Sequence, residues 1–268
     1  MPLDQAQGLR RLFAHTQVVH VPVVSNPNVA FSGVMLERLC SAFSEQGRRT
    51  LVIDAAERAN EASEMALLDL AECIELLSPQ VSYLAARGLA LRFVDASGST
   101  APFLVKVAEA APHCDVLLVH ASATDLCRLF ARRGRLHDGG APHVRPVLLA
   151  DDRPVSVTHA YAAMKLLTQR AGLVVHDLLL GAAPHSPRSE RIAMQLATCA
   201  DDFLGAVLHD WVQLDPACHA TEPPTPELRR LVRELLRAAP DDAPTGPTTT
   251  MWPPNAPPAR AASTWATH

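Results

Sequence analysis

The stretch Val18–Asp54, VVHVPVVSNPNVAFSGVMLERLCSAFSEQGRRTLVID, decides the fold. It reads as a strand apolar on both faces, a loop, an amphipathic helix over Val34–Phe43, a turn at Gly47 and a second buried strand ending at Asp54. Two such strands joined through a helix open a parallel sheet with helices packed on its faces. Units of this kind often carry a phosphate-binding loop. That loop needs glycines so that backbone N–H groups can close on the anion, a Lys for the terminal phosphates and a Ser or Thr hydroxyl for Mg²⁺. Here the loop Ser25–Gly33 is SNPNVAFSG, with one Gly, a Pro27 that has no N–H to donate, a bulky Phe31 and no Lys. The scaffold of a nucleotide-binding unit is present without the composition of its phosphate loop.

Downstream, the same rhythm continues to about Pro216. A helical period over Leu67, Leu70, Ala71, Ile74 and Leu77 predicts a helix that Gly88 ends, and Leu89–Val94 predicts a strand. A helix over 101–111, a strand over Val116–Val119 ending in His120, a helix through 126–132 and a strand over 144–150 follow. A helix over 155–170, a strand over 173–180, a helix over 189–203 and a short strand over 206–212 complete the series. The fold class is therefore α/β, a mostly parallel sheet flanked by helices on both faces.

Residues 1–17 are read as a short N-terminal helix and linker, 18–216 as the α/β domain, 217–239 as a C-terminal amphipathic helix and 240–268 as a disordered Pro-rich tail. The N-terminal helix LDQAQGLRRLFA places Leu9, Leu12 and Phe13 on one face, with Asp4 at the end where the helix dipole favours an acid. So short a helix is marginal alone, so it either docks on its own domain or folds onto a partner.

The net charge of −4 and pI near 6.3 give no basic footprint, so no nucleic-acid partner is expected. The paired arginines, such as Arg10–Arg11 and Arg132–Arg133, are not interleaved with stacking aromatics. The absence of a long apolar run, of a signal-peptide core and of any CxxC pair among the six cysteines points to a cytoplasmic protein. No HExxH and no Cys/His ligand spacing is present, so no metal site is expected, and no GxSxG elbow marks a hydrolase. The only lysines, Lys106 and Lys165, lie far from the opening loop.

The terminal helix TPELRRLVRELLRAA carries Leu228, Leu231, Val232, Leu235 and Leu236 on one side and arginines on the other. This is the pattern of a candidate membrane-surface helix, and equally that of a last helix packed on the core.

Taken in order, several segments resemble the MinD/ParA class of deviant-Walker ATPases, and within it FlhG, the MinD-like regulator of flagellar number. They are the N-terminal DQAxxLRxL pattern (Asp4, Gln5, Ala6, Leu9, Arg10, Leu12), the opening unit ending in LVID at Asp54, the run DRPVSVTHAYAAMKLL from Asp152 to Leu167, and the strand and helix through Leu178–Gly205. The resemblance covers residues 3 to about 216. It implies a parallel sheet with an opening loop that binds ATP and Mg²⁺, dimers that reach the membrane through a C-terminal amphipathic helix, and a separate N-terminal device that stimulates the GTPase of FlhF, a signal-recognition-type partner. Carried over, Gln5 would orient a water in that partner's active site, Asp4 would fix the helix start, and Leu9 and Leu12 would dock it.

The chain departs from the family where nucleotide would bind. Asn26, Asn28, Ser32 and Gly33 stand in a loop without its glycines and lysines, Gly181 replaces a usual Asn, and Asp54 alone remains of the Mg²⁺-side residues. His120 ends the strand where a second switch Asp is expected, unless Asp95 supplies it. The expectation is a pseudo-ATPase with no intrinsic activity and no cofactor, acting on an FlhF-type GTPase, with flagellar basal-body components and the inner membrane or cell pole as further contacts. The alternatives are an active ATPase in which Asn26, Asn28 and Ser32 cradle nucleotide with an Arg in place of Lys, and a MinD-like positioning protein for a secretion or cellulose apparatus.

Overall fold

The computed structural model describes residues 18–96, 99–130, 144–219 and 221–237. The chain runs β1 (Val19–Val24), α1 (Ser32–Glu45), β2 (Thr50–Ala55), β3 (Glu75–Ser78), β4 (Val81–Ala85), α2 (Ala101–Ala110), β5 (Val116–Ala121), α3 (Ala123–Phe130), β6 (Val147–Asp151), α4 (Pro154–Ala171), β7 (Val175–Gly181), α5 (Pro187–Leu204), β8 (Val207–Leu214) and α6 (Pro226–Arg237). The eight strands form one sheet in the order β3-β4-β2-β5-β1-β6-β7-β8. Every pairing is parallel except that of the edge strand β3 with β4. The expected α/β class is what the structure has.

Alternation along the strands builds two cores. Leu117 and Val119 of β5 face one side with Leu51, Ile53, Leu148 and Leu178, under α2, α3, α4 and α5. Val116 and Leu118 face the other with Val21, Val23, Leu149 and Leu179, under α1 and α6. Burial on both faces is why these strands read as continuous apolar runs.

The segment between β2 and α2 departs from expectation. In place of a helix over Leu67–Leu77, two short 3₁₀ turns, Glu64–Leu67 and Ala71–Cys73, lead into the β3–β4 hairpin. The apparent helical period is broken by the Ser78-Pro79-Gln80 turn, and Leu76 and Leu77 stand exposed on an edge strand instead of lining a helix face. Val81 and Tyr83, residue types that suit a pleated surface, pair with Thr50 and Val52 of β2. The strand expected over Leu89–Val94 is a 3₁₀ turn, Leu89–Phe93, because Gly88 at φ 75° swings the chain and tucks Leu89 and Ala90 into the core.

The apolar stripe of α6 is packed inward. Leu228, Leu231, Val232 and Leu235 are buried and Leu236 partly so, all against the core that α1 shares. Arg38 of α1, itself buried, donates to the carbonyls of Glu222 (2.6 Å) and Pro223 (3.0 Å) just before α6, and Arg229 pairs with Glu45 at 2.7 Å. Of the two readings of this helix, the structure has the core-packed one, and the residues proposed to meet lipid are its buried side. Among the described residues no helix is long and apolar enough to cross a membrane. The N-terminal residues Asp4, Gln5, Ala6, Leu9 and Leu12 and the Pro-rich tail lie outside the described residues.

Candidate functional site

The C-terminal ends of β1, β2 and β5 meet where the chain order of the sheet reverses about β1, the place where open α/β sheets bind ligands. The loop from β1 to α1 crosses this crevice and is held from within. Asn26, 4% exposed, sends its side-chain amide to the carbonyls of Leu149 (2.8 Å) and Ser156 (3.0 Å) and to the Ser156 hydroxyl (3.2 Å). Its side-chain oxygen accepts from the backbone N–H of Asn28 at 3.0 Å. Ser156 completes the clasp, accepting from the backbone N–H of Asp151 at 2.9 Å. Both amide hydrogens are spent, so Asn26 ties the loop to the end of β6 and the first turn of α4 and has no donor left for a phosphate.

An arginine close to the loop is also engaged. Arg153, the residue before α4, forks onto Asp151 at 2.9 and 2.6 Å and donates to the carbonyl of Asn28. Asn28 thus contributes its backbone on both sides, as donor to Asn26 and acceptor from Arg153. Ser32 opens α1 beside the recess, and Gly33 follows it with open space around the position of a Cβ and no left-handed φ. Gly33→Ala is therefore expected to raise stability by about 0.5 kcal/mol in denaturant unfolding, through helix propensity alone.

Asp54 is the centre of a small polar network. His120 Nδ1 lies 2.9 Å from Asp54 Oδ1, the Tyr83 hydroxyl donates to Oδ2 at 3.3 Å, and the backbone N–H of Ala56 donates to Oδ1 at 3.2 Å. The pairing follows from register, since Asp54 and His120 are direct neighbours on β2 and β5. Burial, with the Asp54 carboxylate beside it, pushes the Tyr83 hydroxyl up to about 12. His120 is 6% exposed and its Nε2 has no partner among the described residues. A carboxylate bound in this way is not presented toward a cation, and Asp95, the other candidate, instead accepts from the backbone N–H of Ser99 at 2.8 Å.

His120, Ser25, Asn26, Ser32 and the exposed Glu57 and Arg58 line a recess of about 40 Å³. Ligand cavities for nucleotide-sized molecules are roughly an order of magnitude larger. Gly181 sits at the end of β7, where a Cβ would approach Met35 Sδ to 3.6 Å. No cluster of metal-ligating side chains is present among the described residues. With Asn26 and Arg153 engaged elsewhere, a recess of this size does not fit a triphosphate with Mg²⁺. Tyr83 and Ser156, absent from the sequence reading of the site, enter it through a misread strand and a contact 130 residues distant from Asn26.

No protein-family model and no curated protein matches the sequence. Solved structures do match. MinD cell division protein from Aquifex aeolicus superposes with a TM-score of 0.53 at 11% identity, covering 82% of this chain and 97% of its own. Cobyrinic acid a,c-diamide synthase from Mycobacterium smegmatis, with bound ADP and magnesium, gives 0.53 at 13% identity over 81% of this chain and 94% of its own. A plasmid partition protein from Borrelia burgdorferi gives 0.51 at 6% identity over 82% and 97%. The chain is built on the fold of the MinD/ParA-type P-loop ATPases.

Proposed function

We propose that this chain is a non-hydrolysing regulator of the FlhG type, which controls flagellar number or assembly by binding and stimulating an FlhF-type signal-recognition GTPase through residues 3–14. The observation that carries the reading is the state of Asn26. On an ATPase fold, at the loop where phosphate would be cradled, the side chain has spent its donors on Leu149 and Ser156. The engagement of Asp54 by His120 and Tyr83 and of Arg153 by Asp151 supports the same view. The N-terminal motif, by contrast, is intact in sequence, with Asp4, Gln5, Ala6, Leu9 and Leu12 in place. A Gln that orients an attacking water is an established device for accelerating GTP hydrolysis.

The test is GTP turnover by the partner. The full chain and a peptide of residues 1–20 are expected to raise it by about tenfold or more, and the full chain carrying Gln5→Ala to leave it at the basal rate. Equal basal turnover with all of them contradicts the reading. Membrane recruitment through Leu228, Leu231, Val232, Leu235 and Leu236 is not part of it, since those side chains are engaged in the core.

A further inference from the structure

The face of the sheet under α1 and α6 is unevenly covered. Beyond α1, toward the β3 edge, no helix among the described residues lies over β4, and a groove of about 650 Å³ remains. Its floor is Val52, Val81, Tyr83 and the 61%-exposed Leu77, and its wall is the Leu36 and Cys40 side of α1. The charges along it are acidic: Glu37 lines it, Glu75 is close enough to help raise Tyr83, and no Lys or Arg among the described residues lines it.

We infer that residues 3–14 of this same chain occupy that groove as a helix, with Leu9, Leu12 and Phe13 against the floor. Position favours this segment. Val19 sits in one sheet row with Val116, Thr50 and Val81, so the chain enters β1 in line with the end of the groove, three strands away. Three strand spacings are about 14 Å, and residues 14–18 can span about 17 Å. A helix of residues 3–14 is about 18 Å long, against about 16 Å for the five residues of β4. Entering from that edge, it would run from the C-terminal to the N-terminal end of the strands, the direction α1 takes. Charge agrees as well, because Arg10 and Arg11 would flank the apolar stripe opposite the acidic rim.

The docking stands on the groove; its consequence rests on the function proposed above. A docked segment withholds Gln5 from the GTPase, so the partner must extract it, and the chain holds its own activator in reserve.

Hydrogen exchange on the full chain tests this. A free helix this short is marginal in water, so its amides are protected only if docked. Residues 6–14 are expected to exchange about tenfold or more slowly than unstructured chain, independent of protein concentration, and to lose that protection both in Leu9→Asp/Leu12→Asp and in Leu77→Asp. Exchange at the unprotected rate, protection that fades on dilution as a second copy departs, or protection that survives Leu77→Asp each overturns the inference. The GTPase assay separates the two ideas. Stimulation by the 1–20 peptide with an unprotected segment leaves the function standing and removes the docking, whereas protection without stimulation by any form does the reverse. If both hold, Leu77→Asp stimulates at lower concentration than the unaltered chain.

Discussion

Asn26→Ala is expected to lower the unfolding free energy by about 3 kcal/mol, a shift of about 1 M in the urea midpoint with little change in slope. The side chain is buried and its amide meets two carbonyls and a hydroxyl across 123 to 130 residues of sequence. Truncation leaves the carbonyls of Leu149 and Ser156 without that donor in a buried site, and each such group costs about 1–3 kcal/mol. Asn28→Ala is the matched control. Its ties to Asn26 and Arg153 run through the backbone, so its cost should stay below about 0.5 kcal/mol. Were Asn26 instead a ligand residue, the two substitutions would cost similar and small amounts of stability. Urea unfolding of both variants decides between these outcomes.

The second large effect is in the pH dependence of stability, where neighbouring buried residues act in opposite directions. His176 is fully buried; its Nε2 lies 3.1 Å from the Thr168 hydroxyl, whose own hydrogen goes to the carbonyl of Leu173, so Nε2 carries the donor and Nδ1 is an unpartnered acceptor. Burial lowers its pKa from 6.5 to about 4. The unfolded chain then binds more protons between those values, so this contribution is complete above pH 6.5 and is lost as pH falls toward 4. Asp177, also fully buried, is raised from 3.8 to about 6 by burial, with Arg145 at 3.3 Å and His209 at 3.4 Å opposing. There the folded chain binds more protons, and stability falls as pH rises from about 4 to 6.

Each shift corresponds to about 3 kcal/mol at most, so the contributions of these two residues between pH 4 and 6 nearly cancel. His176→Gln retains a donor near the Nε2 position and removes the titration. Relative to the wild type, the variant should lose about 2 kcal/mol of stability between pH 4 and 6. Unfolding at a series of pH values checks it, and a parallel pair of profiles contradicts it.

The parallel core was legible because its strands are buried on both faces, and runs such as Val116–Val119 and Leu178–Leu180 leave no other reading. The β3–β4 hairpin was not. Leucines at 67, 70 and 77 mimic a helical period, and nothing local reports that Leu76 and Leu77 lie on an exposed edge. Tyr83 was lost to the site with its strand. Asp54 and His120 were each visible as strand-end residues, but their bond depends on β2 and β5 being neighbours, a fact of sheet order. Asn26 was legible as a polar residue in the loop and not as a clasp, because its partner Ser156 opens a helix in the other half of the chain. The amphipathic pattern of α6 was correctly seen, while its partner, the core under α1, was settled by tertiary packing that the pattern itself does not encode.

The central proposal, that the opening loop of this chain takes no nucleotide, is tested most directly by isothermal titration calorimetry of the full chain with ATP and Mg²⁺. An opening loop clasped by Asn26, with a recess of about 40 Å³ beside it, predicts no saturable heat into the millimolar range. Saturable binding with a Kd of about 10 μM or below, abolished by Asn26→Ala or Arg153→Ala, would contradict the account.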